Sequence, residues 1–282
     1  MEQGSDETIK MQQPPILCTG LSKAAITKAC NELGESDERK AEALAELREL
    51  ITTGCREENL ASKYKDSTDI YLLRFLRTKK YNVERSYKQL TDHERFLKKH
   101  KFLERVDNKF ARQRVAKCQP GLLTQRDDEG HVVFMFKMKD WDPNDVSFSD
   151  VVATYIYIFD KLLDSEETQV HGVKIIMNLQ GYSLKQMLGV GLSEYKQMVD
   201  MLQGSVPFRF KGVYLINQPA IFVQTFNLIK VFLSEKLRSR IHVYGKDLSG
   251  FFKHFPEQTI PSDFGGKAPE YDGLSAANAL LS

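Results

Sequence analysis

The sequence predicts an α/β fold in which an N-terminal helical bundle is followed by a mainly parallel β-sheet with helices packed against it. Residues 22–118 are highly charged and rich in strong helix formers, whereas four short runs of β-branched and aromatic residues follow them. Helical stretches of strand-connecting length separate these runs. Such alternation is typical of parallel strands joined by crossover helices.

Three segments follow from the change in composition along the 282 residues. Residues 1–21, which contain many polar residues and two prolines, are predicted as a disordered arm. Residues 22–118 are predicted as the helical region, and residues 119–282 as the α/β domain. We expect no further domain after the Gly- and Pro-rich tail.

Capping residues and β-rich runs give the elements in order. In the helical region Ser36 and Asp37, Thr68 and Asp69, and Asn82 stand before or among strong helix formers and are candidate N-caps. The predicted strands of the α/β domain are HVVFMFKM, GVKIIMNL, KGVYLIN and RIHVYG. The predicted helices between them cover residues 149–163, 193–202 and much of 219–242.

Composition excludes several classes of protein. The 40 basic and 38 acidic residues nearly balance, which argues against a nucleic-acid binder. The acidic, polar start does not resemble a secretory signal, and no apolar run is long enough for a bilayer, so we predict a cytosolic monomer. Four cysteines without metal or redox spacing are predicted as free thiols.

Motifs for catalysis or metal binding are incomplete. The stretch Gly181-Tyr182-Ser183-Leu184-Lys185 lacks the second glycine of a nucleophile elbow. The run DWDPND lacks the glycine and the closing glutamate of a calcium loop, and DDEG before a β-rich run is typical of a turn. We therefore predict no catalytic residue, no metal and no cofactor, and the protein is not predicted to be an enzyme.

The segment PAIFVQTFNLIKVFLSEKLRSRIH, residues 219–242, has an unusually wide apolar stripe for a helix that lies on a core. Its apolar part, residues 220–233, is shorter than the roughly twenty residues that cross a bilayer. Two interpretations follow from the residues alone. One is a helix buried on both sides, and the other is a helix that covers something apolar and swings outward.

Positive charge is concentrated on both sides of this segment. The strand period of two places Arg209 and Lys211 on one face, with Phe208 and Phe210 on the other. Beyond the apolar run, Lys236 and Arg240 are spaced i, i+4 and would share a helical face if the helix continues. Bases that bracket an apolar helix are the arrangement expected of a protein that docks on an anionic membrane.

Several motifs together resemble the CRAL-TRIO lipid-binding family, especially its retinaldehyde carriers, and also its clavesins and tocopherol carriers. The motifs span most of residues 22–275 and are LLRFLRTKKYNV, DKLLDSEETQVHG, MVDMLQGSVPFRFKGVYLINQPAIF, IKVFLSEKL, YGKDLSGFF and IPSDFGGKAPEYDG. The resemblance implies a sheet-floored cavity for one lipophilic molecule, closed by a mobile helical lid. It also implies that phosphatidylinositol bisphosphate in a membrane binds four bases, Arg209, Lys211, Lys236 and Arg240.

The cavity and the lid that this resemblance implies can be assigned to residues. The expected cavity lining is Phe136, Trp141, Tyr155, Phe159, Ile175, Met177, Met198, Val213 and Leu215. The expected lid contacts are Phe222, Thr225, Leu228 and Ile229. Met177 stands where retinaldehyde carriers have a pocket glutamate, so we expect a more apolar pocket, with a retinoid or a tocopherol as ligand.

The implied function is that of a cytosolic carrier that exchanges its ligand while transiently bound to membranes. Transfer of a ligand of about twenty carbons from the cavity to water would cost a free energy on the order of 16 kcal/mol, at about 0.8 kcal/mol per CH₂. Release into a bilayer avoids this cost. Two alternatives stay open: a phosphoinositide-sensing interaction module in membrane trafficking, and a retinoid isomerase that uses Tyr155.

Overall fold

The computed structural model describes residues 17–54 and 60–281. Most of the predicted arm, residues 1–16, and Cys55 lie outside the described residues. The described end of the predicted arm packs against the rest of the protein. The Cys18 Sγ atom lies 3.5 Å from Ser165 Oγ, and Leu21 packs against the N-terminal core. Within residues 17–54 and 60–281, no helix is long and apolar enough to cross a membrane.

Helices build the N-terminal lobe, as predicted. They are α1 (Lys23–Lys28, continued by a π-helical turn at Ala29–Leu33), α2 (Asp37–Thr53), α3 (Leu60–Tyr64), α4 (Asp69–Thr78), α5 (Val83–Lys99) and α6 (Asn108–Ala116). Of the candidate N-caps, Ser36, Thr68 and Asn82 are confirmed, because each side chain accepts a hydrogen bond from a backbone N–H three residues later. Asp37 and Asp69 are instead the first residues of α2 and α4.

A buried arginine joins this lobe to the α/β domain. Arg77 is 1% exposed, and its guanidinium donates to Glu35 and to Glu166 at 2.7 Å each, and to Gln169 at 2.9 Å. Glu166 and Gln169 belong to the α/β domain. The paired carboxylates compensate the guanidinium for its loss of water.

In the part of the chain that the structure describes, five strands form one sheet in chain order. They are β1 (Gly121–Leu122), β2 (Val132–Lys137), β3 (Val173–Asn178), β4 (Phe210–Ile216) and β5 (Ile241–Val243). Strands β2 to β5 are parallel and β1 is antiparallel, so the predicted mainly parallel sheet is confirmed. All four predicted β-rich runs contain a strand.

Helices connect the parallel strands of the α/β domain, and a further helix follows the last strand. They are α7 (Phe148–Leu162), α8 (Glu166–His171), α9 (Leu184–Leu188), α10 (Leu192–Asp200, continued by a π-helical turn at Met201–Ser205), α11 (Phe222–Ile229), α12 (Glu235–Arg238) and α13 (Gly273–Leu281). The largest apolar core lies between one sheet face and α7, α10 and α11. The other sheet face packs against aromatic residues of the C-terminal segment, Phe251, Phe255 and Phe264.

The segment 219–242 is broken, so the condition under which Lys236 and Arg240 would share a helical face is not met. Helix α11 passes into a 3₁₀ turn at Lys230–Phe232, and Leu233 is extended, with φ −78° and ψ 126°. Ser234 then caps the four-residue helix α12 by accepting from Leu237 N–H at 3.3 Å. Arg240 lies beyond that helix, so it does not share a helical face with Lys236.

Candidate functional site

An apolar cavity of about 130 Å³ lies between the sheet and α7, α10 and α11. The strands supply its floor, because alternate side chains of β2, β3 and β4 point to the same sheet face. One strand departs from strict alternation: Val173 pairs with Phe210 and Lys174 pairs with Gly212, so Lys211 is an extra residue in β4. This bulge turns Phe210 and Val213 toward the same core.

Eight of the nine predicted cavity residues line this cavity, namely Phe136, Trp141, Tyr155, Ile175, Met177, Met198, Val213 and Leu215. Phe159 does not, which is a correction. Its ring is fully buried and stacks on Phe208, with 4.2 Å between ring centroids, and lies 4.8 Å from the ring of Phe134. The ring of Tyr155, which does line the cavity, lies 6.0 Å from that of Phe159.

Helix α11 forms one wall of the cavity, and we call it the lid helix. Phe222, Thr225 and Ile229 line the cavity, as predicted. Leu228 does not line it and is 50% exposed, because it points away from the cavity on the outer face of the helix. The lid helix therefore has an apolar inner face and a partly apolar outer face.

Thr225 makes a polar contact between the lid helix and the rest of the α/β domain. Its Oγ1 lies 2.5 Å from the hydroxyl of Tyr182, and Tyr195 interacts with both hydroxyls. Burial raises the pKa of Tyr195, to which the neighbouring Tyr182 adds, so its phenol stays protonated and can donate a hydrogen bond. Burial also raises the pKa of Tyr155, another hydroxyl in the cavity wall.

Sequence reasoning missed more than half of the cavity wall. The missed residues are Met138, Phe148, Val151, Val152, Tyr182, Gln186, Val190, Tyr195, Val199, Met201, Leu202, Phe226, Leu233 and Ile241. Some carried a usable signal, because Phe148, Val151, Val152 and Tyr155 recur at helical spacing along α7. The residues around α9 carried none, since their position depends on how the chain folds over the cavity.

A basic cleft of about 190 Å³ lies between the N-terminal lobe, the start of β4 and α12. All four predicted bases line it, namely Arg209, Lys211, Lys236 and Arg240. Three bases of the N-terminal lobe also line it and were missed, namely Lys79, Lys80 and Arg85. Their signal was the dense run of bases in RTKKYNVER, whose distance from β4 in the sequence hid their proximity.

Crowding of like charges marks this cleft as strongly electropositive. Burial lowers the pKa of Lys211 to about 8, and the charge of Arg209 adds to this effect. Burial and the charge of Arg240 likewise lower the pKa of Lys236. Two guanidinium groups are positioned by the backbone, because Arg209 donates to the carbonyl of Val170 and Arg240 to that of Phe210. Such a cleft is suited to an anion with several negative charges.

One carboxylate contacts two bases of the cleft. Glu32, in the π-helical turn that continues α1, accepts a hydrogen bond from Arg209 Nη2 at 2.6 Å and lies 3.5 Å from Lys211 Nζ. Burial alone would raise the pKa of Glu32, but the hydrogen bond from Arg209 and the charges of Lys211 and Lys28 outweigh it and lower the pKa to about 2.

The acidic run before β2 forms a turn. Gly130 has φ +84°, and its N–H donates to the carbonyl of Asp127 at 2.8 Å. Asp127, Glu129 and His131 are close enough together to suggest a metal site. The ammonium of Lys174, however, lies 2.9 Å from each of the two carboxylates. This group therefore forms an ion-pair network of the fold.

Comparison with known proteins agrees with this architecture. The CRAL/TRIO domain matches residues 116–266, and the CRAL/TRIO N-terminal domain matches residues 28–92. Alpha-tocopherol transfer protein-like from Homo sapiens is 30% identical over 274 residues, covering 95% of this chain and 77% of that protein. Clavesin-1 from Mus musculus is 30% identical over 268 residues, covering 94% of this chain and 74% of that protein.

The solved structures give the same fold. The crystal structure of Sfh5 matches with a TM-score of 0.53 at 15% identity, covering 94% of this chain and 93% of that one. At this identity the match concerns the fold alone. The two domain matches and the relatives at 30% identity confirm the resemblance predicted from the motifs. The chain belongs to the CRAL/TRIO family.

Proposed function

We propose that this protein carries one lipophilic molecule, of the retinoid or tocopherol class, in the apolar cavity and exchanges it at membranes that contain phosphatidylinositol bisphosphate. The observation that carries this proposal is the position of the lid helix. Its inner face lines the cavity through Phe222, Thr225 and Ile229, and it is followed directly by the segment that bears Lys236 and Arg240. Ligand exit and membrane docking therefore involve the same part of the chain.

The size of the cavity supports a lid that moves. About 130 Å³ is little room for a molecule of about twenty carbons, since drug-sized ligands occupy pockets of roughly 300 to 1,000 Å³. We therefore propose that the lid helix moves outward to admit the ligand. Met177, Met198 and Met201 in the wall are flexible side chains that can adapt to it.

Exposed apolar residues support membrane contact at the lid. Val223, Leu228 and Val231 are exposed on and after the lid helix. Leu184, Leu188 and Leu192 are also exposed, in the neighbouring segments that supply Gln186 and Val190 to the cavity wall. Burying apolar surface in a bilayer and placing bases near anionic headgroups stabilise the same docked state.

Transfer of a fluorescent tocopherol or retinoid between vesicles tests the proposal. We expect phosphatidylinositol bisphosphate in the acceptor vesicles to accelerate transfer, and the double variant Arg209→Glu/Lys211→Glu to lose that acceleration. The matched control is Lys246→Glu/Lys253→Glu, which reverses two exposed lysines outside the cleft. Equal acceleration in the cleft variant and the control would refute the role of the cleft.

The ligand itself is identified by organic extraction of the purified protein followed by mass spectrometry and an absorption spectrum. A retinoid or tocopherol in the extract supports the carrier. Vesicle binding without ligand in the extract, and without transfer, would instead indicate the phosphoinositide-sensing module. Isomerised retinal after incubation would indicate the isomerase.

A further inference from the structure

The carboxylate of Glu32 occupies the donors that an anionic headgroup needs. Its Oε2 atom is 2.6 Å from Arg209 Nη2 and 3.5 Å from Lys211 Nζ. Lys28 lies 3.7 Å from its Oε1 atom. A carboxylate and a phosphate oxygen accept the same charge-assisted hydrogen bonds from these groups, so both cannot use them at full strength.

Glu32 can leave these donors without unfolding its helix. The backbone around it is anchored, because Ala29 and Leu33 are each 2% exposed in the N-terminal core. The Glu32 side chain, in contrast, is 39% exposed, whereas that of Arg209 is 12% exposed. A rotation of the Glu32 side chain toward solvent would therefore free Arg209 and Lys211 while the helix stays in place.

Protonation does not release Glu32 under physiological conditions. Arg209, Lys211 and Lys28 keep its pKa near 2, so the carboxylate is charged from pH 5 to 8. Displacement of the Glu32 carboxylate from Arg209 and Lys211 then requires another anion. A headgroup with several phosphate charges competes for the cleft more strongly than a headgroup with one charge, because it also attracts Lys236 and Arg240.

We propose that Glu32 is a built-in competitor that sets the headgroup charge needed for docking. In the resting protein it neutralises part of the basic cleft and excludes membranes with only singly charged lipids. A polyphosphorylated headgroup displaces it. This inference rests on the proposed function, in which the cleft binds phosphatidylinositol bisphosphate, and it adds a specificity-determining residue from the N-terminal lobe.

The variant Glu32→Gln tests the inference, with Glu42→Gln as the matched control because Glu42 is exposed on α2 and outside the cleft. Titration with soluble inositol trisphosphate measures binding of clustered phosphates without a bilayer. Flotation then uses phosphatidylcholine vesicles with either phosphatidylinositol bisphosphate or phosphatidylserine. Thermal unfolding of each variant shows that it is folded.

We expect Glu32→Gln to bind inositol trisphosphate roughly tenfold more tightly than the wild type, the scale of a hydrogen bond to a charged group. We also expect it to float with phosphatidylserine vesicles that do not bind the wild type. Glu42→Gln is expected to match the wild type.

Unchanged or weaker binding by Glu32→Gln, with a wild type that binds the bisphosphate vesicles, overturns this inference and leaves the proposed function intact. Weaker binding would mean that Glu32 positions Arg209 and Lys211 for the headgroup. A wild type that binds neither inositol trisphosphate nor bisphosphate vesicles overturns both proposals. Tighter binding to the trisphosphate without a gain on vesicles would assign the cleft to soluble phosphates and overturn the membrane role.

Discussion

Lys211 shows how the surroundings of one residue change its chemistry. In the sequence it is an ordinary strand lysine, but in the fold it is the bulged residue of β4 and is half-buried beside Arg209. Burial and the charge of Arg209 lower its pKa to about 8, against an ordinary value of 10.5. Its charge therefore changes just above neutral pH.

We expect docking on bisphosphate vesicles to weaken severalfold between pH 7 and pH 9. Below its pKa of about 8 Lys211 is protonated and attracts the headgroup, and above it the side chain is neutral. Vesicle flotation at constant ionic strength measures the effect. In Lys211→Arg the guanidinium stays charged, so the pH dependence is expected to disappear. The same pH dependence in both proteins would contradict this role of Lys211.

The identity of a residue did not suffice to predict whether its side chain lines the cavity. Phe159 and Leu228 have the apolar character expected of a cavity wall, yet Phe159 stacks on Phe208 and Leu228 is half exposed. An apolar side chain is stabilised equally well by packing in the core or around a ligand. The choice depends on neighbours such as Phe208 and Phe134, which are distant in the sequence.

At the scale of elements, the lid helix and the short helix α12 are separate, so the helix that covers the cavity does not continue to Arg240. The break at Leu233 separates an apolar part that covers the cavity from a basic part at the cleft. Helical periodicity continues across the break and does not reveal it. Ser234 and Glu235, which form the new helix start, were the available signal.

We expect Leu228→Ser/Val231→Ser to slow vesicle transfer severalfold, because less apolar surface enters the bilayer. The two side chains are 50% and 70% exposed, so the free energy of unfolding is expected to change by less than about 0.5 kcal/mol per substitution. Transfer assays and urea denaturation measure the two effects. The matched control Leu274→Ser removes a 71% exposed leucine of α13. Equal slowing by the control would argue against lid insertion.

At the scale of the whole molecule, the N-terminal lobe is part of the site. It supplies Lys79, Lys80 and Arg85 to the basic cleft, and Glu32, in the turn that continues α1, contacts Arg209 and Lys211 of that cleft. The buried ion pairs of Arg77 hold the two parts together. The boundary near residue 118, with an arm over residues 1–21, stays a prediction.

We expect Arg77→Ala to lower the free energy of unfolding by about 3 to 5 kcal/mol, because Glu35 and Glu166 lose their buried partner. The control Lys196→Ala breaks a pair with Asp200 in which both side chains are exposed, and a loss of less than about 1 kcal/mol is expected. Urea denaturation at pH 7 compares them. Equal losses would contradict the role assigned to Arg77.

The loss of stability at low pH is a second test of the contact between Arg77 and Glu35. Burial alone would raise the pKa of Glu35, but hydrogen bonds and charge from Arg77 outweigh it and lower the pKa. Folding thus favours the ionised carboxylate, so its stabilisation is present above pH 4.5 and is lost as the pH falls toward the lowered value. This part of the acid sensitivity is expected to disappear in Arg77→Ala.

The sequence by itself determined the helical lobe, the parallel sheet and the family, because capping, periodicity and motifs are local and act through neighbouring residues. Tertiary structure alone decided the place of Phe159, the bulge at Lys211 and the meeting of Glu32 with Arg209. That meeting joins residues 177 positions apart in the chain. Packing and charge depend on distance in space, which no local pattern records.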